Sequence, residues 1–193
     1  MKINWNYIKG VLLIGLVLFL LGFTNHRNKL QKIVAIDVEF EYGDNLFMDY
    51  EMVNNLLIQN NASVVNKAKS LIDLNGLEKQ VIEHPMVESA IAFITVNGQL
   101  KVSVKQRAPI GRINSKTASY YIDRLGKVMP LSENYTARVP IVTGISKSDN
   151  LEGLYTLLTI IRADEFLKKQ IIGVHKMEND QYKLMTRIGS HEI

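Results

Sequence analysis

VLLIGLVLFLLGF, residues 11–23, carries no polar side chain and stands close to the N-terminus. A run this apolar has no place on the surface of a water-soluble domain. As a helix at ~1.5 Å per residue it reaches only about 20 Å, short of the ~30 Å hydrocarbon core of a bilayer. Extending it to residues 5–24 gives the ~20 residues a membrane span requires. Lys9 can stretch its stem to the surface, and Trp5 and Tyr7 suit the interface. A secretory signal peptide shares the basic start and the short apolar run. The segment that follows, TNHRNKLQK, is bulky and basic and has no small-x-small cleavage site, which favours an anchor that stays attached. Lys2 and Lys9 precede the span, while Arg27, Lys29 and Lys32 follow it. Flanking charge therefore does not fix orientation. The size asymmetry favours a cytoplasmic tail (1–4), an anchor (5–24), a linker (25–32) and an exported body.

The body has the composition of a folded protein. Apolar residues make up 47% of the chain and cysteine is absent, so a packed core is expected and disulfides or thiolate metal sites are excluded. The formal charge is +4, and residues 1–23 hold two lysines and no acid. What remains is too mild for a nucleic-acid footprint.

Residues 34–42, VAIDVEFEY, alternate strictly, with Val34, Ile36, Val38, Phe40 and Tyr42 on one face. Such a pattern predicts a strand with one wet face. Asp49 is a plausible N-cap for a helix whose Met52, Val53, Leu56 and Leu57 share one side. A polar loop is expected over 60–70. Asn75 and Glu78 have capping-box spacing for a second helix, with Leu77 and Val81 as its buried stripe. Pro85 ends that helix, because the residue before a proline is pushed out of helical geometry. His84 is then a C-terminal residue well placed for the helix dipole. The strand VESAIAFITV follows, then the hairpin signal Asn97-Gly98, then LKVSVKQ with Leu100, Val102 and Val104 on one face. Strand, helix, helix, strand, strand over 33–107 makes one small α+β domain.

Beyond Pro109 the chain breaks into short β-like pieces. Asp123 to Gly126 predicts a turn. A helix opening near Asp149, with Glu152 at capping-box spacing, carries Leu151, Leu154, Leu158 and Ile161 on one face. The strands IIGVHK and QYKLMTRI and a Gly189-Ser190 turn follow. A hairpin with half its second strand is a poor place to end a domain, so the chain is expected to be incomplete at Ile193.

Chemistry is weakly signalled. His26, His84, His175 and His191 form no paired metal motif, and G-x-S-x-G, Walker A and G-x-G-x-x-G are absent. Asp37, Glu39 and Glu41 read as a solvated strand face rather than a catalytic cluster. No catalytic, cofactor-binding or metal residue is expected. Short edge strands can instead recruit partners by adding a strand.

The order of these segments resembles the bacterial cell-division family FtsQ/DivIB. A short tail and one span precede a POTRA domain, whose pattern is a helix closing on h-P-x-V-x-x-A and a strand ending V-x-E-R-x-P-x-A. His84, Pro85, Val87 and Ala90 match the first part; Val104, Arg107 and Pro109 match the second. The family's β domain has a D-x-x-G turn and then a P-x-[IVL]-x-G segment, matched by Asp123, Gly126, Pro140 and Gly144. Gln106 stands where the family usually has Glu, and Gly111 where it often has Ala. The resemblance implies an α+β protein: a transmembrane helix, a POTRA-like βααββ domain (33–107), and an incomplete antiparallel β domain with one helix (108–193). It also implies a non-enzymatic scaffold in the cell inner membrane, at the septum, that binds FtsB and FtsL and helps control septal peptidoglycan synthesis. Partner contact is expected at Tyr182, Lys183, Leu184 and Arg187 on the last strand. Tyr182, Leu184, Thr186 and Ile188 should face the core. A POTRA-bearing assembly or transport factor and an anchored envelope hydrolase remain alternatives.

Overall fold

The computed structural model describes residues 5–41, 47–59, 64–115, 118–146, 149–179 and 181–188. The expected tail (1–4), Tyr42 and the Gly189-Ser190 turn lie outside them, as does Ile193. Helix α1 (Trp5–Leu30) contains a stretch, Ile8–Arg27, long and apolar enough to cross a membrane. It runs past residue 24, so most of the expected linker is helical. No glycine or proline interrupts residues 24–30, and a helix already nucleated propagates cheaply through such a segment.

The first unit comprises β1 (Ala35–Phe40), α2 (Tyr50–Gln59), a 3-10 turn (Lys69–Leu71), α3 (Leu74–Ile82), β2 (Val87–Ile94) and β3 (Gln99–Gln106). The sheet runs β1-β3-β2, with β1 parallel and β2 antiparallel to β3. Val53 and Leu57 of α2 and Leu77 and Val81 of α3 are buried with Val38, Ala90, Ala92, Leu100, Val102 and Val104. The strand alternation of β3 is therefore as expected, and Gly98 takes φ +85° in the hairpin turn.

Four local expectations are corrected. Val34 is exposed and Ile33 buried, because Ile33 exchanges backbone bonds with residues 66 and 67 before the strand begins. Val64, inside the expected polar loop, is a core residue. Asp73, not Asn75, caps α3: its Oδ1 accepts from Gly76 N at 3.0 Å. Glu78 turns instead to β2, accepting from Ala92 N at 2.7 Å. His84 does not act as a cation on the helix end. Its Nδ1 accepts the Met86 N–H at 3.3 Å, and burial lowers its pKa, so the ring is a neutral acceptor inside the turn that Pro85 makes. Asp49 caps α2 as expected, accepting from Met52 N at 2.8 Å.

The second unit contains β4 (Pro109–Asn114), β5 (Ser119–Asp123), β6 (Val128–Met129), β7 (Ile141–Thr143), α4 (Glu152–Ala163), α5 (Glu165–Gln170), β8 (Ile171–Lys176) and β9 (Tyr182–Thr186). The sheet order is β6-β5-β4-β7-β8-β9. It is mixed rather than antiparallel: β7 lies parallel to both β4 and β8. The helices between β7 and β8 carry the chain back to its starting end, which makes the next strand parallel. Two helices occur where one was expected. Asp164 takes an extended conformation, ends α4, and caps α5 by accepting from Phe166 N and Leu167 N. Asp149 caps no helix either: it accepts from Ser146 N at 2.7 Å and pairs with Lys176 Nζ at 3.1 Å. Leu154, Leu158 and Ile161 of α4 bury against Ile110, Ile113, Ile122, Val142 and Val174.

The two units share a core. Tyr121 and Met129, on the second sheet, are buried among the residues of the first unit, with Leu131, Tyr135, Ala137 and Val139 packed beside them. Phe47 meets the rings of Tyr121 and Tyr135 edge-on at 6.2 and 5.3 Å, a favoured aromatic geometry.

Candidate functional site: a sheet edge and the junction behind it

Among the described residues, strand β9 pairs with β8 alone and stands last in the six-stranded sheet. Val142, Val174 and Leu184 form one row across β7, β8 and β9, and this row packs under α4. Tyr182 packs on the same core, and a Cβ on Gly153 would lie 3.3 Å from its hydroxyl. Tyr182 thus rests against the first turn of α4. Lys183 and Met185 belong to the opposite face, with His175 and Gly173 as their partners on β8. His175 Nδ1 is 2.9 Å from Thr143 Oγ1.

In an antiparallel pair, alternate residues bond inward and the rest point outward. Met177 N donates to Gln181 O at 2.8 Å. Counting by two along the ladder, Lys183 bonds to β8, while Tyr182 and Leu184 direct their backbone groups to the open edge. Arg187 and Ile188 fall beyond the strand. Arg187 is exposed and its N–H donates to Gln170 O at 2.7 Å. Ile188 is 72% exposed, so the core-facing alternation expected through 188 stops at Thr186, where the ladder with β8 ends.

The remaining motif residues fall in the first core, at the junction between the units, and beside β7. Val87, Ala90 and Val104 are core residues, His84 and Pro85 form the turn into β2, and Pro109 opens β4, a strand position that tolerates proline. Arg107 Nη1 donates to Asp123 Oδ2 at 2.7 Å, with both side chains buried. Asp123 Oδ1 accepts from Leu125 N at 2.9 Å and Lys127 N at 2.7 Å, which locks the turn whose Gly126 has φ +74°. Gly144 also needs its positive φ of +79°, and Pro140 is buried just before β7.

Sequence reasoning missed the residues that complete this junction. Glu88 accepts from Arg124 and pairs with Lys105 at 3.1 Å. The Arg124 guanidinium, with Lys105 behind it, holds the Glu88 carboxyl below the usual range despite opposing burial. Gln106 Oε1 accepts from Phe47 N and its Nε2 donates to Met48 O, both at 3.1 Å. The family's glutamate could only accept when ionised; the amide here does both.

Residues 32–105 match the family model for a POTRA-like domain, and residues 108–193 match that for FtsQ/DivIB, C-terminal related. The chain is an FtsQ/DivIB-like protein. No curated protein matches the sequence significantly. The FtsQ/DivIB and POTRA-like matches suggest a cell-division scaffold, a kind of protein that acts through protein–protein contacts. With one N-terminal apolar helix, they support a single-pass membrane protein. Among the described residues, no group of three or more His, Cys, Asp or Glu could hold a metal ion. Asp37 and Glu39, the carboxylates nearest to a cluster, share Lys101 at 3.1 and 2.7 Å. The hydrogen bonds that Lys101 donates to Glu39 and then to Asp37 raise the pKa of that lysine.

Proposed function

We propose that this FtsQ/DivIB-like chain is a non-enzymatic scaffold of the division machinery. Helix α1 holds it in the cell inner (plasma) membrane at the septum, with residues 1–4 cytoplasmic and the body outside. It binds FtsB and FtsL there, and through them influences septal peptidoglycan synthesis. The observation that carries this reading is the outward-facing backbone of Tyr182 and Leu184 on β9, the last strand of the sheet among the described residues. An extended segment of FtsB can add as a seventh strand, bonding to the backbone of Tyr182 and Leu184. Lys183 and Arg187 then favour acidic side chains on the incoming strand.

Amide hydrogen exchange of the full chain with and without an FtsB peptide tests it. Protection is expected at Tyr182 and Leu184. The Lys183→Glu/Arg187→Glu variant should weaken binding several-fold without loss of folding. Protection confined to the POTRA-like unit, with affinity unchanged in the variant, would move the interface elsewhere. A reporter fused after Ile193 should be active only outside the cytoplasm.

A further inference from the structure

The passage from α1 into the first unit is short and pinned. Lys69 N donates to Gln31 O, Ile33 N to Lys67 O, Asn66 N to Ile33 O and Val34 N to Gly98 O, each at 2.9 Å. Lys32 bridges to Ala68. Lys69 Nζ donates to Thr95 O and Val96 O at 2.9 and 3.2 Å, fastening the β2–β3 hairpin tip to the 3-10 turn. The hairpin tip and the 3-10 turn are therefore gathered round the end of α1. Three large apolar side chains here are bare: Val34, in the passage from α1 to β1, is 66% exposed, Leu71 of the 3-10 turn 75% and Val96 of the hairpin tip 85%. Arg27 and Lys32, also exposed, flank them.

Depth follows from the helix. The 20 residues of Ile8–Arg27 span about 30 Å, the thickness of the hydrocarbon core. Residues 28–30 add ~4.5 Å of helix, and the headgroup layer on each side is roughly 5–8 Å deep. With α1 upright, Gln31 begins about 5 Å past the hydrocarbon core, so the segments pinned to Gln31 and Ile33 start within that layer, where apolar side chains flanked by cations are favoured. We propose that Val34, Leu71 and Val96, with Arg27 and Lys32, form a docking patch for the bilayer surface in which α1 is inserted. The patch fixes the tilt of the POTRA-like unit on the membrane. This rests on reading α1 as a membrane span, and the test separates the two.

The chain has no cysteine, so single sites can be labelled cleanly. The full chain goes into nanodiscs of zwitterionic lipid with one-third anionic lipid. Leu71→Cys, Val96→Cys, Leu20→Cys and Leu125→Cys each carry an environment-sensitive fluorophore. Lipids with a nitroxide at the headgroup or deep in the chain are the quenchers. The expected result is deep quenching at residue 20, and headgroup quenching at residues 71 and 96 at least twofold above residue 125. Adding Val96→Asp should bring quenching at residue 71 down to the level of residue 125. Quenching at residue 20 with none above residue 125 at 71 and 96 would overturn the patch while leaving the span intact. Absence of quenching at residue 20 would overturn both.

Discussion

Asp123→Asn replaces one oxygen at the centre of the junction. The Asp123 side chain is 0% exposed and that of Arg107 9% exposed. The variant keeps an oxygen for Leu125 N and Lys127 N but turns an NH2 group toward the guanidinium. Arg107 is then a buried cation facing a donor. Removing one partner of a buried ion pair costs about 3–5 kcal/mol. That is a large share of a stability of ~5–15 kcal/mol. In a chain of this length each 1 kcal/mol moves Tm by roughly 2–4 °C, so a fall of about 6–20 °C is expected. The shared core makes the two units unfold together, so the transition should stay single. Arg124→Ala gives the contrast: its side chain is 40% exposed, and a pair of that kind contributes about 0–1 kcal/mol. Calorimetry of the detergent-solubilised full chain reads both. A shift under 2 °C for Asp123→Asn, or equal shifts for the two variants, would refute the view that this pair holds the junction.

Val104→Asp buries an unpaired charge in the shared core and should unfold both units together, whereas Lys105→Ala, which loses a part-exposed pair with Glu88, should cost no more than about 1 kcal/mol; circular dichroism melting distinguishes them. Gly111→Ala places a methyl 2.6 Å from Leu158 Cδ1, so it should destabilise by roughly 1–3 kcal/mol and be rescued by Leu158→Val in a double-mutant melt. The pKa of His84 is lowered by burial, so its contribution is complete above the unfolded value near 6.5 and disappears as pH falls through the folded value. Tm should therefore drop from pH 7 toward pH 5 in the wild type, and more shallowly in His84→Gln.

Residues whose environment is set by strand or helix period were legible in the sequence. Leu100, Val102 and Val104 alternate and are buried; Leu154, Leu158 and Ile161 recur at helical spacing and are buried. Caps were legible only where one acceptor was available. Asp49 qualified, but Asp73 outcompeted Asn75 because it already lay before the first turn, and Asp149 was taken by Ser146 and Lys176. Strand direction in the second sheet was not legible. Nothing local in Ile141–Thr143 records that α4 and α5 will return the chain parallel to it. The junction lies between these extremes. Arg107 and Asp123 stood out as motif residues, but their pairing crosses between the two units and leaves no periodic trace. Of the edge residues, Tyr182 and Leu184 followed the alternation, and Ile188 did not, because alternation ends with the ladder that imposes it.

The burial of Tyr121 and Met129 among first-unit residues, with Leu131, Tyr135, Ala137 and Val139 packed beside them, bears on how such proteins exchange parts. A chimera cut at residue 107 would graft a foreign sheet whose counterpart of residues 131–139 never met this Phe47. Its halves would each be intact in sequence and mismatched in shape. A graft that respects the physical seam carries residues 131–139, with Tyr121 and Met129, alongside the POTRA-like unit. The heritable module here is wider than the sequence-defined domain, and swaps between relatives should succeed only when both halves travel together.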